Sequence, residues 1–379
     1  MHATGTAGLS FDPKSIVRET SMSQSERQTP LEHAIALFEG GDLDRAFAEL
    51  ERAIVLDPTC ARAFYGRGLV WYYRNNSDAA RKDYDIALQL DPRYAKAYFN
   101  RGLIHYNAGS FNDAIADLTS AIECDARWAQ YFGLRGWCLI QVEEPERAIL
   151  DFSQVLHRDP SDAGALFFRG VARMKIGDLA EALTDLDNAI SRGACVAEAH
   201  AWRGATLSLL GQPEQAEASF REALAIDASD AKTYLLRGMS SYWTGQFEAA
   251  VRDYDQALCL DPTDAEAHYF RGEVWAALGR LELAVRDYTE AIRCSSTHAA
   301  AYYARGLMRE AEGDRDEAIK DFSRSIDLKP SADACFHRGN AWLAGQNHAQ
   351  ALADFRKAHE LEPNNFPSPE SIMSHGPNT

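Results

Sequence analysis

Nine arginines, each followed directly by a glycine, recur along the chain at a nearly constant spacing. Successive members are 34 residues apart seven times and 33 residues apart once: Arg67, Arg101, Arg135, Arg169, Arg203, Arg237, Arg271, Arg305 and Arg338. A row of aspartates keeps the same step, with Ser219 standing where an aspartate opposite Arg203 would fall: Asp83, Asp117, Asp151, Asp185, Asp253, Asp287, Asp321 and Asp354. A guanidinium and a carboxylate can form two parallel hydrogen bonds, so the rows predict a ladder of Arg–Asp pairs.

Two interpretations of this pattern are open. In the structural one, each pair joins two helices, either of one repeat or of neighbouring repeats. In the functional one, the arginines form a row that grips an anionic ligand. We favour the structural interpretation because nearly every arginine brings its own carboxylate.

The other reactive residue types give no sign of catalysis. The seven cysteines, Cys195 among them, include no C-x-x-C pair, and the eleven histidines include no H-E-x-x-H pair. The sequence also lacks a phosphate-binding glycine loop and a nucleophile elbow. We therefore predict no metal, no cofactor and no catalytic residue, and an enzyme is the third choice among the functions considered.

The charge of the chain restricts its partners. Against 39 Lys and Arg stand 56 Asp and Glu, a formal net charge of −17, which repels nucleic acid and anionic membranes. No apolar run approaches the roughly 20 residues of a spanning helix, and residues 1–26 lack the pattern of a secretory signal. We expect a cytoplasmic protein that binds neither nucleic acid nor membrane, with Met22 as an alternative start.

The elements that must position these residues follow the same period. In residues 95–128, apolar residues at helical spacing predict one helix before Gly109 and a second from Asn112 to Cys124. Gly102 and Ala114 are small, which indicates that the two helices approach closely there. At the start of the periodic region, Thr29-Pro30 has the pattern of a helix N-cap followed by proline.

This pattern resembles the tetratricopeptide repeat, a helix–turn–helix unit of 34 residues. Counting each repeat from seven residues before its glycine gives units 27–60, 61–94, 95–128, 129–162, 163–196, 197–230, 231–264, 265–298, 299–331 and 332–365. The resemblance implies an all-α solenoid, a right-handed superhelix of about ten units whose first helices line a concave groove. Residues 1–26 and 366–379 are expected to be disordered tails.

The resemblance also implies which first-helix residues line the groove. Carried onto this chain, the positions give Arg62, Tyr65, Tyr72, Tyr73, Lys96, Phe99, Asn100, Tyr106, Asn107, Trp137, Phe167, Lys175, Tyr242, Trp243, Tyr269 and Tyr303. The same positions also supply Glu266, Glu273 and Glu310, so the early repeats offer cations and the late ones carboxylates. Each aromatic residue has two alternative roles, packing in the core or contact with a ligand. The full set of residues with which some members of the family bind the acidic tails of chaperones is absent from this sequence.

We expect a non-enzymatic scaffold that holds a peptide or helical segment of a partner protein in this groove. Aromatic side chains would supply the affinity, and the charge gradient would set direction and association rate. The alternative is a self-assembling structural protein. No capping helix follows the last repeat in the sequence, so that repeat could stack on a second copy to form a homo-oligomer.

Overall fold

The computed structural model describes residues 29–193, 196–366 and 369, and within these residues it contains 20 helices and no strand. The helices are α1 Pro30–Glu39, α2 Leu43–Leu56, α3 Ala61–Tyr73, α4 Ser77–Leu90, α5 Ala95–Asn107, α6 Phe111–Cys124, α7 Ala129–Gln141, α8 Pro145–Arg158, α9 Ala163–Lys175, α10 Leu179–Ser191, α11 Val196–Leu209, α12 Pro213–Ile226, α13 Ala231–Trp243, α14 Phe247–Leu260, α15 Ala265–Ala277, α16 Leu281–Cys294, α17 Ala299–Glu312, α18 Arg315–Leu328, α19 Ala332–Ala344 and α20 His348–Leu361. The expected all-α class is confirmed.

The chain divides into two compact units, one ending at Ala199 and the other beginning at His200. In the first unit, the helices from α1 to α10 pair as hairpins, and the second helix of each hairpin packs on the first helix of the next. In the second unit, the hairpins from α13 to α20 pack in the same order, and α12 packs on α13. Each unit is therefore a stack of helical hairpins, as in an α-solenoid.

Local sequence explains where the helices begin. At α1, the Glu32 backbone N–H donates to Thr29 Oγ1 at 3.4 Å, and the Thr29 N–H donates to Glu32 Oε2 at 3.0 Å. This capping box, with Pro30 at the first helical position, confirms the predicted start of the periodic region.

The loops between hairpins rely on an aspartate followed in several repeats by proline. Asp57 and Asp91 end α2 and α4 in extended conformation, with φ of −139° and −133°. Their carboxylates accept the backbone N–H two residues later at 2.9 Å, from Thr59 and Arg93. The extended angles suit a residue before proline, so each helix ends there.

The close approach inside a hairpin is visible at Gly102. A Cβ placed on this glycine would lie 3.3 Å from Asp117 Cβ and from Leu118 Cγ, and 3.5 Å from the Ala114 carbonyl oxygen. Ala114 itself is fully buried. The prediction that small residues mark the crossing of α5 and α6 is confirmed.

Several predictions fall on residues outside the described ones. These are the N-terminal tail at 1–26, Cys195 and most of the C-terminal tail at 366–379. Phe366, the first residue of that tail, is described, and its ring lies 5.3 Å from that of Phe336 on the last hairpin. The division into ten repeats stays a prediction.

Candidate partner-binding face

The predicted arginines and aspartates lie side by side within each hairpin. In the eight hairpins that carry both residues, arginine Nε and Nη2 donate to the two carboxylate oxygens at 2.6–2.9 Å. The aspartates are 2–8% exposed. Hydrogen bonds to Asp83 and Asp117 raise the pKa of Arg67 and Arg101 above the ordinary arginine value. Each pair joins the first helix of a hairpin to its second.

The remaining nitrogen of most of these arginines reaches the preceding hairpin. Its acceptors all lie on that hairpin's second helix: Glu51 for Arg67, Asp85 for Arg101, Thr119 for Arg135, Ser153 for Arg169, Asp255 for Arg271, Thr289 for Arg305 and Ser323 for Arg338. One guanidinium thus crosslinks three helices, within a repeat and between repeats. The sequence left open a link between neighbouring repeats, but it did not indicate these acceptors, because they vary in type.

These contacts favour the structural interpretation of the arginine row over an anion grip. The donors of each guanidinium are directed at protein oxygens on neighbouring helices. At the one substituted position, Arg203 Nη1 donates to Ser219 Oγ at 2.6 Å. The ladder therefore holds the first helices in place. The side chains that these helices expose to solvent form the candidate site.

We call the surface formed by the first helices of a unit its first-helix face. In the first unit it consists of α1, α3, α5, α7 and α9, and in the second unit of α13, α15, α17 and α19. Neighbouring first helices approach each other directly in both units. This is the surface on which the sequence places the groove residues.

Six of the predicted groove residues are buried in the first unit: Tyr65, Phe99, Asn100, Tyr106, Trp137 and Phe167. They pack on each other and on neighbouring repeats. Asn100 Nδ2 donates to Tyr65 Oη at 2.9 Å, and the rings of Tyr106 and Trp137 lie 5.0 Å apart, edge to face. Burial raises the pKa of Tyr106 to about 12. We therefore leave these six out of the proposed contact surface.

The other predicted residues of the first unit are accessible. Arg62, Asn107 and Lys175 are exposed, whereas Tyr72, Tyr73 and Lys96 are half-buried. Two of them connect adjacent first helices, since Asn107 Nδ2 donates to Tyr72 Oη at 3.1 Å. Lys96 places its Nζ 5.7 Å from the centre of the Trp128 ring.

The predicted residues of the second unit are all at least partly accessible. Trp243 is 51% exposed, and Tyr242, Tyr269 and Tyr303 are half-buried. Tyr269 packs on His298 with ring centres 5.0 Å apart. Burial raises the pKa of Tyr303 to about 12, with Asp333 and Glu310 adding to the shift.

The sequence did not indicate that two buried second-helix tyrosines lie beneath this face, close to Glu273. Tyr288 Oη donates to Glu273 Oε1 at 2.6 Å, and Tyr254 lies close enough to Glu273 and Tyr242 for their charges to affect its pKa. The signal was present at the position directly after each aspartate of the row, where Tyr254 and Tyr288 carry a hydroxyl and residues such as Leu118 and Phe152 do not.

The described residues contain no group of three or more His, Cys, Asp or Glu side chains arranged to hold a metal ion. Among the same residues, every helix is too short or too polar to cross a membrane.

Sequence models of protein families described as tetratricopeptide repeat match most of the chain, at residues 31–77, 72–129, 135–194, 172–231, 235–299, 299–331 and 332–365. The chain therefore belongs to the tetratricopeptide repeat family, as its sequence pattern indicated. The family's fold is typically that of a non-catalytic interaction scaffold.

Solved structures with a similar fold share little sequence with this chain. The APC/C hetero-tetramer Cut9–Hcn1 aligns at 16% identity with a TM-score of 0.54, over 92% of this chain and 83% of that one. The human IFIT1 dimer with PPP-AAAA aligns at 18% identity with a TM-score of 0.55, over 86% and 84%. At such identities the likeness shows the fold alone. No curated protein matches the sequence.

Proposed function

We propose that this protein is a non-enzymatic scaffold that binds a peptide or helical segment of a partner protein on its first-helix faces. The observation that carries the proposal is Trp243, a large aromatic side chain left 51% exposed beside the half-buried Tyr242. Exposed aromatic groups on a rigid surface are typical anchors of protein interfaces, because they offer a large contact area at low entropic cost.

One further point supports a protein partner. The formal net charge of −17 opposes binding to a phosphate backbone. The structural neighbours include a complex between proteins, Cut9 with Hcn1, and a complex of a different kind, IFIT1 with PPP-AAAA. Those likenesses concern the fold alone and do not separate the two classes of partner, so we rely on the charge of this chain, which favours a protein.

We expect Trp243→Ala to weaken binding of peptides selected by the protein by about tenfold, as for an interface hot spot. The peptides would come from a displayed library of random 12-residue sequences selected on the full chain, and fluorescence anisotropy would measure their affinities. Leu150→Ala is the matched control, because Leu150 is 67% exposed on a second helix, α8. Selected peptides that bind both variants as tightly as the wild type would contradict contact at the first-helix face.

Self-assembly through the last repeat stays the alternative. The ring of Phe366 packs on Phe336, and the His359 Nδ1 lies 2.8 Å from the Phe366 carbonyl oxygen, so this residue covers part of the last hairpin. We expect light scattering of the full chain to give one mass at all concentrations, and Phe366→Ser to make the mass rise with concentration. A wild-type mass that rises with concentration would favour self-assembly.

A further inference from the structure

One carboxylate on the first-helix face occupies a position that is apolar in most other repeats. The residue directly after the glycine of the repeat is Leu69, Leu103, Trp137, Val171, Ala205, Met239 or Leu307 in seven repeats and Asn340 in the last. In α15 it is Glu273. A half-buried charge at an apolar position costs free energy unless a partner compensates it, so this substitution needs an explanation.

Tyrosines from neighbouring helices surround Glu273. Tyr288 on α16 donates its hydroxyl to Glu273 Oε1 at 2.6 Å, and Tyr269 lies one helical turn earlier on α15 itself. Burial raises the pKa of both tyrosines, and the charge of Glu273 is the next cause in each case. Burial also raises the pKa of Tyr242 on α13, and Glu273 adds to that shift. The carboxylate thus lies among phenol groups from three helices.

No lysine, arginine or histidine within the described part of the chain pairs with Glu273. The other two carboxylates of this surface do have partners, since Glu310 lies 3.1 Å from His337 Nδ1 and Glu266 lies 3.5 Å from His298 Nε2. The arginine of the ladder on the same helix, Arg271, is already paired, since its Nη2 lies 2.7 Å from Asp287 Oδ1. Glu273 is therefore a half-buried anion that lacks a cation among the described residues.

A fully buried tyrosine lies beside this carboxylate. Tyr254 on α14 is fully buried, and its hydroxyl has no hydrogen-bond partner among the described residues. Tyr254 packs in one cluster with Tyr242 and with Val274, the residue after Glu273. Burial raises the pKa of Tyr254, and Tyr242, Asp253 and Glu273 raise it further. Because this hydroxyl is buried, we leave Tyr254 out of the contact residues, as we do the buried tyrosines of the first unit.

We propose that Glu273, with Tyr242 and Tyr269, binds the cationic head of a lysine or arginine side chain of the partner segment. Carboxylate oxygens and a phenol oxygen accept hydrogen bonds from such a head, and aromatic faces attract its charge. The exposed Glu266 strengthens the negative potential around the site, whereas Lys232 on α13 lies with its Nζ 5.9 Å from the Trp202 ring. This inference rests on the proposed scaffold function and assigns the partner a basic residue.

The test uses the full chain and the peptides selected from the random library. We expect them to be enriched in lysine or arginine, and we expect Glu273→Gln to weaken their binding at least tenfold. Glu282→Gln, which removes the same charge from the exposed first turn of α16, should change binding less than twofold. Replacing the key lysine of a peptide by norleucine should weaken binding to the wild type but not to Glu273→Gln. Replacing the same lysine by arginine shows which of the two cationic side chains the site binds more tightly.

A purely structural role for Glu273 predicts a different result. Tyr288→Phe removes the hydrogen bond at Oε1 and leaves the carboxylate, so it should retain peptide binding if the cation contact is the role of Glu273. If Tyr288→Phe and Glu273→Gln weaken binding equally, or if the selected peptides lack a basic residue, the cation site is wrong while the scaffold function stands. If the library yields no binder at all, the scaffold function fails as well.

Discussion

Replacing Asp185 by alanine should destabilise the first unit by about 3–5 kcal/mol, the cost of removing one partner from a buried ion pair. Asp185 is 2% exposed and accepts hydrogen bonds from two arginines. Arg169 donates at 2.8 and 2.7 Å, and Arg173 donates at 2.6 Å. Both guanidinium groups would lose their main acceptor at the junction of α9 and α10.

The measurement must be local, because long repeat arrays need not unfold in one step. Amide hydrogen exchange in α9 and α10 gives the free energy of opening there. The matched variant is Asp255→Ala, whose side chain is 56% exposed and whose partner Arg271 retains Asp287. It should cost under about 1 kcal/mol. Equal small losses in both variants would remove the ladder from the explanation of stability.

Replacing Gly306 by alanine should destabilise α17 and α18 by about 2 kcal/mol, although alanine is normally the better helix former. A Cβ at Gly306 would lie 2.6 Å from Phe322 Cε1. The Phe322 ring is fully buried, with the rings of Tyr303 and His337 at 6.0 and 5.9 Å. Since this ring has little room to move, the backbones of the two helices must separate.

Gly102→Ala is the internal comparison, because its added Cβ would lie no closer than 3.3 Å to its neighbours. The helix propensity of alanine then offsets the tighter contact, and we expect a stability within about 1 kcal/mol of the wild type. Amide hydrogen exchange in α17 and α18 for Gly306→Ala, and in α5 and α6 for Gly102→Ala, would compare the two variants. If Gly306→Ala proves as stable as Gly102→Ala, the contact with the aromatic ring does not require glycine.

The sequence predicts the helical hairpins well because the same residue types recur at the same positions in nearly every repeat. The small residues, the apolar stripes and the Arg–Asp rows each recur, so accidental matches are averaged out. It predicts the pairing of Arg67 with Asp83 for the same reason. The contact from Arg67 to Glu51 is harder to foresee, since the acceptor is a different residue in different repeats.

Groove residues are harder to predict than the hairpins, because the period places a residue on a helix face but does not say how deeply it lies. Tyr65 and Tyr72 are seven residues apart on α3 and share one face. Tyr65 is 6% exposed beneath the next repeat, whereas Tyr72 is half-buried. That difference depends on which side chains of the next hairpin cover each residue, such as Tyr94 and Asn100 over Tyr65, and a single sequence does not reveal these contacts.

The Arg–Asp bonds join residues that are close in the sequence, and this has a consequence for synthesis on the ribosome. Each pair spans 16 residues, and the link back to the preceding hairpin spans 15 or 16. A hairpin can therefore close soon after it leaves the exit tunnel and dock on one that has already formed. Within each unit, we expect the nascent chain to gain protease resistance in steps of one repeat instead of all at once on release.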